Sequence, residues 1–155
     1  MGSFDWREFL DYLLRLGAAA AFGGIVGLER QLHDHWAGLR THMMVSLGAA
    51  VFTLVGVLAT ADEPQNLTRV VQGVATGIGF LGAGTILKLS DQKEIRGLTT
   101  AGSIWLAAGI GTAAGMAEFS LALAAACISL FVLAALRRLE RKVLDADHDH
   151  RGGRK

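Results

Sequence analysis

The chain has 155 residues, 52% of them hydrophobic, with 20 glycines, one proline and a formal net charge of +1. That length fits one domain. The net charge itself points to no partner, and nucleic acid is not expected as one. The distribution of charge is more telling: charged residues cluster in short breaks between long apolar runs, which excludes an ordinary soluble surface and makes a lipid bilayer the expected surroundings.

In chain order, the first expected span runs from Phe9 to Leu28 and is interrupted by Asp11 and Arg15. Arg15 lies near one end, where it snorkels to the headgroups. The N-terminus has no basic region, and no cleavage site is followed by a soluble domain, so this segment is expected to stay in place. Glu29 and Arg30 close the span. An ionised group at that depth needs a partner or water, and Glu29 with Arg40, or Arg30 with an acidic side chain, supplies one. Two readings of Glu29 stand: an ion pair that locks the following loop against the bundle, or a ligand for a cation such as magnesium. Incomplete desolvation near an interface favours the ion pair. The triplet His33-Asp34-His35 follows. Adjacent helical residues do not share a face, so no metal site is expected there.

Arg40, Thr41 and His42 open the second span, Met43 to Ala61. His42 reads as a hydrogen-bonded interfacial histidine or as a pH sensor. The third span, Val70 to Leu87, holds Gly77, Gly79 and Gly82 in a G-x-G-x-x-G pattern. That pattern signifies a dinucleotide site only after a strand, opening a helix. Here it lies inside an uncharged run of membrane length. Gly79 to Gly84 has phosphate-loop spacing, but Thr85 and Ile86 stand where Lys and Ser or Thr are required. The glycines are therefore read as helix-packing positions, with a broken helix exposing its carbonyls as the alternative.

The fourth span runs from Leu98 to Ala117 and the fifth from Phe119 to Leu136, joined through Glu118 as a tight antiparallel hairpin. Thr99, Thr100 and Ser103 bond back to preceding carbonyls or line a polar crevice. Cys127 is read as a small packed residue. Residues 1–142 form the expected membrane domain, and 143–155 a polar, disordered tail. In that tail His148, Asp149 and His150 have no fixed ligand geometry. The expected fold is an all-α integral membrane bundle of about five helices packed through glycines. Ala19, Gly23, Gly27, Gly111 and Gly115 extend the small-residue pattern, giving flat faces suited to a homo-oligomer.

Orientation follows from Lys and Arg. With five spans, Arg30, Arg40, Lys88, Lys93, Arg96, Arg137, Arg138, Arg141 and Lys142 share one side, and Arg7 and Arg69 the other. The positive-inside rule puts the C-terminus in the cytoplasm and the N-terminus outside. A four-span arrangement, with the first segment interfacial, is the alternative. It puts the N-terminus inside.

Three segments together resemble the MgtC/SapB family of bacterial membrane proteins. The first is Gly27-Leu28-Glu29-Arg30-Gln31 with Ala37-Gly38-Leu39-Arg40-Thr41-His42. The second runs from Gly77 through Gly79, Gly82, Gly84 and Thr85 to Ile86. The third is Gly97-Leu98-Thr99-Thr100-Ala101 with Trp105 and Gly109-Ile110-Gly111. The resemblance implies an inner-membrane protein linked to growth at low magnesium and, in some pathogens, to survival inside macrophages. It also implies a membrane partner, since some family members are described as inhibitors of the F-type ATP synthase. Longer members carry a soluble C-terminal domain, whereas this chain ends soon after Lys142.

The function expected from the sequence is non-enzymatic. It is the regulation or scaffolding of a membrane ATPase or transporter under magnesium limitation, with no cofactor unless magnesium binds. Transport of magnesium or another cation by an oligomer is the alternative. No nucleophile–base pair or zinc spacing supports catalysis.

Overall fold

The computed structural model describes residues 5–59, 66–89 and 94–152. Five helices stand at the five expected positions: α1 (Trp6–Gln31), α2 (Leu39–Ala59), α3 (Leu67–Gly84), α4 (Leu98–Gly115) and α5 (Phe119–Gly152). Two short strands, β1 (Leu87–Leu89) and β2 (Glu94–Arg96), pair antiparallel between α3 and α4, with Leu87 opposite Arg96. This hairpin is a small addition to the helical bundle that the sequence leads one to expect. Three-residue strands leave too little alternation to read in a sequence.

Local chemistry sets the helix ends. The Asp5 carboxylate accepts from the Arg7 amide at 2.8 Å and caps α1. The charges inside α1 are answered locally: Arg15 pairs with Asp11 at 2.8 Å and donates to the Gly115 carbonyl at 3.2 Å. At the end of α4, the Glu118 amide reaches the Ala113 carbonyl at 2.9 Å and the Ala117 amide reaches that of Ala114 at 3.0 Å. This is a Schellman closure, formed with Ala117 rather than glycine at φ 63°. It produces the tight α4–α5 hairpin that the sequence predicts.

α1, α2 and α4 form the centre of the bundle, α3 packs mainly on α4, and α5 packs on α4 and α1. Consecutive helices alternate in direction. Arg30 of α1 meets Thr100 of α4 at one end, and Arg15 meets Gly115 at the other. The core is built from small residues, among them Ala19, Ala50 and Ala114 with Val26 and Ile110. Glycine is required where backbones touch. A Cβ at Gly27 would lie 2.8 Å from the Leu39 Cα, and one at Gly115 would lie 2.8 Å from the Ala50 carbonyl oxygen. Between these contacts the buried Ser46 hydroxyl donates to the Ala19 carbonyl at 2.7 Å, tying α2 to α1.

The glycines of α3 behave differently from the expectation. Gly73, Gly77, Gly79 and Gly84 have no neighbour within 4 Å of an added Cβ, and Gly82 meets Ala101 only at an ordinary 3.6 Å. Close contacts between helices at described glycines lie on α1 and α4 instead, and at Gly56 of α2 against Val70. α3 meets the bundle near its two ends, Val70 against Gly56 and Gly82 against Ala101. Between them a groove of about 690 Å³ runs beside α2, lined by Phe52, Gly73 and Gly77 among others.

Among the described residues, α1 and α2 are long and apolar enough to cross a bilayer, while the apolar part of α5, Phe119–Ala135, is shorter. Glycine and threonine dilute the apolar content of α3 and α4, which have 18 residues each. The backbone of α5 is helical through Gly152. No glycine or proline interrupts the stretch before Gly152 and Gly153, so nothing local ends the helix earlier. Cys127 faces outward rather than into the core.

Candidate functional site

The alternating helix directions bring the polar motifs to one end of the bundle. Glu29 and Arg30 come from the end of α1, residues 33–36 from the following turn, and His42 from the first turn of α2. Thr85 ends α3, Arg96 and Gly97 precede α4, Thr100 sits in its first turn, and Arg137 comes from α5. Segments far apart in sequence thus share one surface.

Glu29 is paired, but not with Arg40. Its Oε1 accepts from Arg137, whose position one basic residue beyond the apolar run of α5 places it at this end of the bundle. His33 lies 3.5 Å from the same oxygen and bonds through Nδ1 to the Glu29 carbonyl at 2.8 Å. The pair is largely enclosed, with side-chain exposures of 12% for Glu29 and 22% for Arg137. Oε2 of Glu29 is buried without a partner. Arg40 and Thr41 are exposed on the first turn of α2. The expected Glu29–Arg40 pair is therefore replaced. A residue's place in the chain tells which end of the bundle it reaches, but not which side of a helix it occupies.

Arg30 is the least expected feature. It is 2% exposed, its Nη2 donates to the Thr100 hydroxyl at 3.1 Å, and its Nε is buried with no partner. Among the described residues no carboxylate pairs with it. A buried guanidinium with one neutral acceptor is costly.

His42 is fully buried and satisfied on both ring nitrogens. Nδ1 lies 2.9 Å from the Gly38 carbonyl and must donate to it; Nε2 lies 3.0 Å from the Ser103 hydroxyl. Ser103 also reaches the Thr100 carbonyl at 2.9 Å. A hydroxyl has one proton. A neutral His42 accepts that proton at Nε2, whereas a protonated His42 donates to Ser103 and frees the hydroxyl for Thr100. The satisfied-histidine reading of the sequence fits this network. Ser103, named there only as a helix-start residue, is its relay.

Thr85 bonds back to the Gly82 carbonyl at 2.7 Å. Thr99 is exposed one residue before Thr100, and Trp105 is exposed on the outer face of α4. Gly77 and Gly79 sit mid-helix on open faces of α3. His35, in the turn after α1, is held below the ordinary imidazole range by burial first and then by the charges of Arg30 and His33. Among the described residues no group of three His, Cys, Asp or Glu side chains is placed to hold a metal ion. The tail residues His148–His150 lie outside those whose side chains are described.

The profile described as "MgtC family" matches residues 16–142, which takes in every element of this polar end. The chain belongs to the MgtC family. It is 38% identical over 144 residues to "Protein MgtC" of Salmonella typhimurium (strain LT2), covering 90% of this chain and 60% of that protein. It is 39% identical over 147 residues to "Protein SrpB" of Synechococcus elongatus, covering 88% and 79%. It is 34% identical over 144 residues to "Putative magnesium transporter YhiD" of Escherichia coli (strain K12), covering 89% and 66%. The chain thus spans about 60% of the length of the MgtC relatives it matches. No solved structure matches it significantly.

Proposed function

We propose that this chain is an integral inner-membrane protein with no catalytic chemistry of its own, which supports growth under magnesium limitation by regulating or scaffolding a membrane partner. The observation that carries this reading is the occupation of Glu29 by Arg137. Glu29 is the carboxylate at the polar end most suited to a hard cation, and its charge is already answered within the bundle. Buried Arg30, with no carboxylate partner among the described residues, repels a divalent cation at the same end rather than collects it.

The five alternating helices support a five-span bundle with this arginine-rich end in the cytoplasm and the N-terminus outside. The open glycines of α3 and the groove beside them support assembly as a homo-oligomer or docking of a membrane ATPase or transporter through that face.

One observation favours a second reading. The unpartnered Oε2 of Glu29 remains available to a cation, and the name of the Escherichia coli relative is that of a magnesium transporter. Magnesium flux into proteoliposomes, read with an internal dye, separates the two. The regulatory reading expects flux no greater than in empty vesicles, while the wild-type chain still restores growth of a family-deleted strain at low magnesium. A saturable magnesium flux that Glu29→Gln abolishes would overturn it in favour of transport.

A further inference from the structure

The bundle leaves one face of α3 uncovered. Gln72, Gly73, Thr76, Phe80 and Ala83 are all exposed, and their spacing keeps them on one side of the helix. Gln72 is out of place there. α3 has 18 residues, a rise of roughly 27 Å, and Gln72 lies roughly 5 Å from its midpoint, which is hydrocarbon depth when the helix spans a bilayer. The Gln72 carbonyl accepts from the Thr76 hydroxyl at 2.8 Å, but among the described residues nothing bonds its side-chain carboxamide. An amide facing lipid tails has no water to turn to, and leaving it unpaired is costly.

The chemistry of the group says which partner answers it. Copies of one membrane protein share one orientation, so a two-fold axis between two of them runs along the membrane normal. Each residue then meets the level of its own counterpart. A carboxamide both donates and accepts, so two glutamines at one depth complement each other, whereas two like charges there repel. The backbone allows the approach as a second, separate feature. A Cβ added at Gly73 or Gly77 meets nothing within 4 Å in its own chain, so these glycines are not needed for the fold of a single copy. Arg69 lies one turn nearer the outer end, where headgroups and water receive its charge.

We propose that a second copy of this chain covers this face, with two parallel α3 helices related by a two-fold axis, the Gln72 carboxamides bonded to each other, and Gly73 and Gly77 admitting close backbone approach. The inference rests on the five-span reading and gives its homo-oligomer a defined interface.

Full-length protein carrying a donor or acceptor fluorophore at the C-terminus is reconstituted into phosphatidylcholine vesicles over a series of protein-to-lipid ratios, and energy transfer between copies reports dimerisation. Wild type should dimerise. Gln72→Leu should weaken the dimer roughly three- to tenfold, the scale of one interhelical hydrogen-bond contact in lipid. Gln72→Asn, which keeps the amide, should weaken it less. Gly73→Leu should weaken it at least as much as Gln72→Leu while the melting temperature in detergent stays that of wild type, since the added side chain meets open space in its own copy. On a Cys127→Ser background, Thr76→Cys should oxidise to a cross-linked dimer, and Phe131→Cys, exposed on α5, should not. Monomers at every ratio, cross-linking through residue 131 but not 76, or a dimer equally strong in Gln72→Leu and Gly73→Leu overturns the proposal. Alkaline carbonate extraction separates the two failures. Monomers that stay in the vesicles overturn this interface alone, whereas a chain that carbonate strips away overturns the membrane reading with it.

Discussion

A methyl group at Gly111 is the sharpest available perturbation of the bundle. Its Cβ would fall 2.6 Å from the Ser46 carbonyl carbon and 2.8 Å from the Ser46 Cα, with the carbonyl oxygen closer still. Carbon atoms in good contact stand about 3.5–4.0 Å apart, so α2 and α4 must separate by roughly 1 Å. The obstacle is backbone, which has no rotamer to escape into. That separation loosens a seam shared by Ala50, Ala114 and Ile110 and strains the Ser46 bond to Ala19. Gly111→Ala should therefore cost about 1–3 kcal/mol, toward the upper end. Gly77→Ala is the matched control, because an added Cβ at Gly77 has nothing within 4 Å. Both substitutions carry the same favourable change in helix propensity, so their difference isolates the clash. Equilibrium unfolding of purified protein in mixed detergent and dodecyl sulfate, followed by circular dichroism, measures both. Gly77→Ala should stay within about 0.5 kcal/mol of wild type. Equal destabilisation by the two variants, or a Gly111→Ala protein as stable as wild type, would refute the assignment of the tight seam to α2 and α4.

The Glu29–Arg137 pair should show coupling in a double-mutant cycle. Glu29→Gln or Arg137→Gln alone should cost about 1–3 kcal/mol by leaving an enclosed partner unanswered, and the double variant less than the sum; strictly additive costs would mean that the two residues do not interact. The turn residue His35 gives a pH signature. Its folded-state pKa is depressed by burial and by Arg30 and His33, with Asp34 opposing. The unfolded chain therefore binds the proton more readily, and stability contributed by neutral His35 is present above the unfolded value, about 6.5, and is lost as pH falls from there toward the folded value. Melting temperature should drop over that acid window in wild type and less in His35→Gln; parallel pH profiles would reject this assignment.

By itself the sequence determined the number of helices, their order, the tight α4–α5 turn and the clustering of polar motifs between apolar runs. These features depend on local composition and on periodicity, which neighbours in the chain carry. It also singled out Glu29, Arg30, His42 and Thr100 among a longer set of motif positions, because charged and polar groups in apolar surroundings require partners. The partners themselves were decided by tertiary structure. Arg137 rather than Arg40 meets Glu29, since the rotation of each helix about its axis is set by packing against several others. The same holds for glycine: Gly23 and Gly27 of α1 and Gly111 and Gly115 of α4 mark the tight seams, whereas Gly73, Gly77, Gly79 and Gly84 of α3 face open space, and composition does not distinguish the two groups. The polar end became one surface only when the turn after α1, the end of α3, the start of α4 and the buried Arg30 were folded together. A helix end, a loop and a lone arginine acquire joint chemistry through proximity, which no local stretch of the chain encodes.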